Sequence, residues 1–167
     1  MATACVRSAT RCRSQMIEIS QATADDIATL LPLIAEYWRF ENIAGFDPDR
    51  VAAQLTQLLS MPQRGVGWLA SSDGIVAGYL LAVYVFSLEH LGLTAEIDEL
   101  FVLPAQRGRG AGARLLRAAE AEFLRAGCTS VSLQLSRHNE AARGFYRRHA
   151  YNERNGYELL DKMLDSP

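Results

Sequence analysis

Several things are scarce in this sequence of 167 residues. Cysteine (Cys5, Cys12, Cys128) and histidine (His90, His138, His149) occur three times each. They fall at no spacing that would gather a tetrahedral ligand set, so no resident metal is expected. An odd cysteine count without an export signal suggests a reducing, cytoplasmic setting. Long apolar runs are also missing. The longest, Ile75 to Phe86, is too short to span a bilayer and contains glycine and tyrosine, so no membrane partner is expected. There is no excess of positive charge: the formal net charge is -2, which argues against general nucleic-acid binding. A Walker A loop, with four residues between its glycines and then Gly-Lys-Ser/Thr, is absent.

What is present is enough for one globular domain. A chain of this length with 49% hydrophobic residues can bury a substantial core. The first 15 residues stand apart, holding Arg7, Arg11 and Arg13, no acid, and several Ser, Thr and Ala. Without those three arginines, 14 basic residues face 19 acidic ones, a body charge of about -5. An organellar targeting peptide has that composition. The segment is short for one and has no amphipathic stripe, so residues 1–15 read as a disordered extension, with a single domain over 16–167.

From Met16 the pattern alternates between strand and helix. Ile17 to Ser20 reads as a strand. Thr23 can cap a helix with Ile27, Leu30, Leu31, Ile34 and Trp38 at helical spacing, bent at Pro32. Asp47-Pro48 opens a second helix bearing Val51, Leu55, Leu58 and Leu59. Gly67–Ala70 and Ile75–Phe86 read as a hairpin. A strand at about 95–103, a helix at about 108–126 and a strand at 129–135 come next. A helix from Asn139 to about His149 follows, and a last hairpin turns through Asn155-Gly156 into Tyr157–Leu164.

The most informative stretch is Glu96-Ile-Asp-Glu-Leu-Phe-Val-Leu-Pro104-Ala-Gln-Arg107-Gly-Arg-Gly110-Ala-Gly112, a strand, a turn and a helix start. Glycines at 108, 110 and 112 remove side chains where the helix begins. The first N–H groups of a helix lack internal partners and sit at the positive end of its dipole, which favours phosphate; Arg107 and Arg109 add charge. Gly108-x-Gly110-x-x-Ala113 also fits a loose dinucleotide fingerprint, but the next strand, Thr129 to Leu135, carries no acid at its end. The spacing Arg107-x-x-Gly110-x-Gly112, with the strand and Pro104 before it, resembles the pyrophosphate loop of the GNAT superfamily of acetyl-CoA-dependent N-acetyltransferases. Asn139-Glu-Ala-Ala142-Arg-Gly-Phe145-Tyr146, ending at Ala150-Tyr151 where the superfamily has Gly-Phe, resembles that family's second coenzyme segment. The resemblance covers about residues 17–164.

The resemblance implies an α/β (α+β) fold: a mixed, mostly antiparallel sheet with a splayed parallel pair and flanking helices. It implies acetyl-CoA as co-substrate, held by Phe101, Val102 and Leu103, by Arg107, Gly108, Arg109, Gly110, Ala111, Gly112 and Ala113, and by Asn139, Ala142 and Tyr146. It also implies direct transfer of the acetyl group to a primary amine in a ternary complex. Tyr146, which would point at the coenzyme sulfur, can protonate the departing thiolate. Relatives carry an acid at the position of Asp98 or, in other branches, of Glu96. Strand alternation puts Glu96 and Asp98 on one face and Glu99 on the other unless a bulge shifts the parity. Asp98 is the first choice as base and Glu99 the second, against the plain alternative of solvated acids that attract a cation.

The acceptor groove of such a fold would draw on Tyr37-Trp38-Arg39-Phe40-Glu41, on Tyr84 and Phe86, and on the final hairpin. Acids at Glu36, Glu41, Glu89, Glu96 and Asp98 suit a cationic amine: a polyamine or other small amine, an aminoglycoside-like compound, or an amine on a protein or peptide. The alternatives are a non-catalytic acyl-CoA-binding module, or an acetyltransferase acting on a macromolecule. Homodimers are common in the superfamily.

Overall fold

The computed structural model describes residues 16–164. The extension expected at 1–15, with Cys5 and Cys12, lies outside the described residues, as do residues 165–167. Nine principal elements follow one another: β1 (Ile17–Gln21), α1 (Ile27–Phe40), α2 (Pro48–Leu59), β2 (Gly65–Ser72), β3 (Ile75–Ser87), β4 (Gly92–Val102), α3 (Ala111–Arg125), β5 (Val131–Leu133) and α4 (Glu140–Arg148). Contacts divide the chain into two compact units, one up to Leu133 and one from Gln134.

Local chemistry sets most boundaries. Thr23 and Asp26 form a reciprocal capping box around a single 3-10 turn, which leads into α1 with Pro32 inside it. Asp47 Oδ1 accepts from the N–H groups of Asp49 and Arg50, so α2 starts where a cap and Pro48 coincide. Asp73 and Gly74 both take positive φ between β2 and β3, as a two-residue hairpin turn requires. α3 begins at Ala111 rather than 108 because Gly108 (φ +76°) and Gly110 (φ +89°) are left-handed.

In the first unit the sheet order is β1-β2-β3-β4-β5, antiparallel throughout except for the parallel pair β4–β5. That pair spans only Ala95–Ile97 against Val131–Leu133, so β4 runs on to Val102 without β5 beside it. The fold expected from the resemblance is the one observed. One face of the sheet (Leu69, Tyr79, Leu81, Phe101) packs on Leu30, Leu33 and Ile34 of α1 and Leu55 of α2. α3 packs on the sheet as well, and its Phe123 meets Trp68 and Tyr84 edge-on at 6.0 and 6.1 Å.

Two expectations need correction. β5 is three residues long, not the seven of 129–135. No strand lies between Tyr151 and Leu164 among the described residues; Asn155-Gly156 does turn, but no hairpin follows. A turn dipeptide makes a hairpin only when its flanks alternate. After it the apolar residues come in doublets, Leu159-Leu160 and Met163-Leu164, and all four are exposed.

In the second unit, Asn139 Oδ1 accepts from the N–H of Ala142 and caps α4. The helix closes in a Schellman arrangement: Ala150 N–H reaches Arg147 O and Tyr151 N–H reaches Tyr146 O, both at 3.1 Å. Ala150 pays for this with φ +65°, a conformation that favours glycine. The Gly-Phe dipeptide of the superfamily therefore has a physical reason: the first residue must turn left-handed, and the second then brings its ring onto the helix. Here Tyr151 packs 5.4 Å from the ring of Tyr146.

Candidate active site

The register of β4 decides which acids share a face. Leu81 of β3 pairs with Glu99 and Ala82 with Ile97, so Asp98 is an extra residue in a β-bulge. The bulge shifts the alternation: Glu96, opposite Val83, and Glu99, opposite Leu81, end on the same side of the sheet. Asp98 and Glu99 both line a cavity of about 510 Å³. Its other walls are Ile34 and Trp38 of α1, the face of α2 carrying Arg50, Val51, Gln54, Leu55 and Leu58, and Arg64 and Leu81.

Glu99 is the strongly perturbed acid. The buried Tyr79 hydroxyl donates to Oε2 at 2.5 Å, and the Trp38 indole N–H donates to Oε1 at 3.4 Å. Burial raises its pKa more than these hydrogen bonds lower it, and Asp98 adds repulsion, so the carboxyl is pushed up to about 7. Asp98 also rises above the usual carboxylate range, because the cavity wall removes part of its water and Glu96 repels its charge. Around them burial, with the nearby carboxylates, pushes Tyr37 up to about 12 and holds Tyr79 far above the ordinary phenol range. Both tyrosines are neutral near pH 7, so Tyr79 donates to Glu99 and neither phenol competes with it for a proton. The site thus holds a carboxyl half-ionised at neutral pH, beside a second acid, in a cavity large enough for a small molecule.

Beyond the bulge, Phe101 is buried and packs on Tyr37, Phe40 and Tyr79, so its side chain belongs to the core and only its backbone can serve a ligand. Val102 and Leu103 close the strand; Leu103 N–H donates to Ala77 O and Val102 O accepts from Arg107 Nε at 2.9 Å. Arg107 lies over the rings of Phe40 and Phe101, at 4.9 and 5.6 Å, so it clamps the turn as well as charging it. Arg109 Nη1 donates to Gln106 Oε1. A Cβ at Gly108 or Gly110 would meet nothing within 4 Å, so this turn presents backbone to open space. Gly110 is the N-cap of α3 and no side chain caps the helix there. The first-turn N–H groups of Ala111, Gly112 and Ala113 are therefore left for an outside acceptor, and the turn fits a pyrophosphate.

The expected acceptor residues divide. Trp38 lines the cavity, whereas Tyr84 packs on Phe123 of α3, Phe86 is 72% exposed, and no final hairpin forms among the described residues. Arg50, Arg64 and Tyr79 were not marked by the sequence as site residues, since only the register and the docking of α2 bring them there. In the second unit Asn139 and Ala142 make the helix cap, and Tyr146 is half-buried between Phe145 and Tyr151.

The family model described as the acetyltransferase (GNAT) family matches residues 29–151. The chain belongs to the GNAT family. It is 31% identical over 141 residues to an uncharacterized N-acetyltransferase of Bacillus subtilis, covering 84% of this chain and 93% of that one. It is 32% identical over 136 residues to the aminoalkylphosphonate N-acetyltransferase of Salmonella typhimurium, covering 81% and 85%. Among solved structures, an integron cassette protein from the Cole Harbour salt marsh metagenome superposes with a TM-score of 0.78 at 26% identity, over 89% of this chain and 91% of that one. An aminoglycoside acetyltransferase from a soil metagenome, solved with sisomicin, shares the fold with a TM-score of 0.69 at 18% identity, over 90% and 96%. This GNAT protein is an N-acetyltransferase, and acetyl-CoA is the acyl donor that its family implies. Among the described residues no helix is long and apolar enough to cross a membrane, and no cluster of His, Cys, Asp and Glu could hold a metal ion.

Proposed function

We propose that this GNAT protein transfers an acetyl group from acetyl-CoA directly to a primary amine on a small molecule, with Glu99 as the general base. The observation that carries this reading is Glu99 itself: a carboxyl with a pKa of about 7, held by Tyr79 and Trp38 in the wall of a cavity. An amine reaches the site as an ammonium ion and must lose a proton before it can attack a thioester. A base matched to neutral pH does that best, because it is ionised yet still basic. Asp98, in the bulge beside it, supplies negative charge that draws the ammonium in.

The donor's pyrophosphate is assigned to the turn Arg107–Gly112 and the uncapped start of α3, with its pantetheine amides along the edge of β4 that β5 leaves unpaired. A backbone N–H of that strand is suited to the negative charge that develops on the thioester oxygen. Tyr146 is assigned the proton for the departing thiolate, supported by its match to the family tyrosine. Asn139 and Ala142 are assigned to the coenzyme on the same family match. The relative named for aminoalkylphosphonate supports a small-molecule acceptor.

Release of free thiol from acetyl-CoA, screened across amines with the wild type and Glu99→Gln side by side, tests the reading. Amine-dependent release that Glu99→Gln abolishes is the expected result. Release that no amine stimulates would leave a coenzyme-binding module in place of an enzyme.

A further inference from the structure

Arg50 and Arg64 stand on the cavity of Asp98 and Glu99, and the sequence alone gave no reason to put them there. Neither side chain has a carboxylate partner among the described residues: the ion pairs there are made by Arg39, Arg125, Arg143 and Arg147. Arg50 lies in the first turn of α2, where the helix dipole adds to its positive charge. Asp47, which also lines the cavity, uses its Oδ1 to cap the same helix and makes no ion pair with either arginine. Gln54 and Gln57 add amide donors to the same wall. The cavity therefore carries both signs of charge: carboxyls at Asp98 and Glu99 on β4 and at Asp47 before α2, and guanidinium-bearing side chains at Arg50 on α2 and Arg64 just before β2.

The ladder sets the scale. Gly67, Leu81 and Glu99 stand in one row across β2, β3 and β4. Arg64 lies three residues before Gly67, and its carbonyl accepts from Tyr84 N–H at 2.8 Å. Two strand spacings across and three residues along place the backbones of Arg64 and Glu99 about 14 Å apart. Both side chains line the cavity, and their length leaves a span on the scale of a small molecule.

We propose that the acceptor is a small zwitterion: an amine that docks at Glu99 and Asp98 and carries a carboxylate or phosphonate bound by Arg50 and Arg64. This rests on the transfer reading above and narrows it. Guanidinium groups bind such anions through paired N–H donors, and the same two charges repel a second ammonium. Polyamines, which the acids alone would favour, are thereby selected against.

Four probes of similar length test this: β-alanine, aminoethylphosphonate, propylamine and diaminopropane, each assayed by thiol release and, without acetyl-CoA turnover, by calorimetric binding. For the wild type, kcat/KM for one of the two zwitterions should exceed that for propylamine by about ten- to hundredfold, through KM, with diaminopropane poorest. In Arg50→Gln and Arg64→Gln the ratio of zwitterion to propylamine should collapse towards one, and Arg64→Lys should recover part of it. Both arginines are exposed, so these variants should fold. If propylamine or diaminopropane is used as well as the zwitterions, or if the ratio survives both substitutions, the substrate class is wrong while acetyl transfer stands. If no amine of any kind releases thiol, the transfer reading fails and the substrate class falls with it.

Discussion

The bulge at Asp98–Glu99 and the glycine turn after β4 lie close together in the chain and prepare for ligands by opposite means. The turn works by subtraction: its residues give up side chains, two of them take left-handed φ, and the helix start is left without a side-chain cap, so bare backbone is the surface proposed for the pyrophosphate. The bulge works by addition. One extra residue realigns the strand, and a carboxyl is then surrounded by a buried phenol, an indole and a hydrophobic wall until its pKa approaches 7. Phosphate carries its full charge into the site, so fixed dipoles suffice. A proton acceptor must have its own basicity tuned, and only packed side chains can do that.

Removing the tuned group should have the largest effect. Glu99→Gln keeps the size and much of the hydrogen bonding, and should lower kcat by about 10²–10⁴-fold with coenzyme affinity unchanged by calorimetry. In the wild type kcat/KM should rise as pH climbs through about 7, since the base acts only when ionised; a flat profile across that range would move the base elsewhere. Gly112→Asp tests the other region. A carboxylate in the first turn suits the helix dipole, so the protein should fold, yet it would repel a pyrophosphate, and coenzyme affinity should fall by about 100-fold or more. Unchanged affinity in a folded variant would remove the turn from the coenzyme site.

Tyr146→Phe keeps the ring that Tyr151 packs on and removes only a hydroxyl. A loss in kcat of about 10²-fold, without a matching rise in acceptor KM, is expected. Equal kcat in the two proteins would make Tyr146 a packing residue. Glu99 also predicts an unusual stability profile. Its folded pKa lies above the unfolded value of 4.5, so between those values the native state binds more protons and stability falls as pH rises. Glu99→Gln should therefore be more stable than the wild type at pH 8, by about 2 kcal/mol, and show no such gain at pH 4. The smallest effect belongs to Ala150→Gly, which relieves a left-handed alanine. It should add about 1 kcal/mol, or roughly 2–4 °C in Tm, without altering kcat.

The same contrast explains what was legible in the residues. Glycines at 108 and 110 announce backbone geometry because few other residues adopt it, and the Asp47-Pro48 and Asn139 caps mark helix starts in the same local way. The order of helices and strands up to α4 follows from periodicity. The parity of Glu96, Asp98 and Glu99 depends instead on pairing with β3, which no local pattern encodes, so the residues alone left it open whether a bulge shifts the alternation. Tyr79 sat inside an apolar run, with nothing local to set it apart. Arg50 and Arg64 carry no local mark, because their place at the cavity depends on α2 docking over Leu81. The final hairpin failed for the opposite reason: its turn was legible, but its flanks lacked the alternation to extend it.

Asp98 also makes the chain one residue longer than its fold needs. If it were deleted, Ile97 and Glu99 would become consecutive rungs against Ala82 and Leu81, and each would keep the face it has now. The ladder would be more regular, not less, and the core on either side would be undisturbed. Residues whose loss improves a fold are ones that drift discards unless something other than folding retains them. A one-residue gap at this position would therefore mark copies of the protein that have kept the architecture and Glu99 and lost the charge proposed to draw the ammonium in.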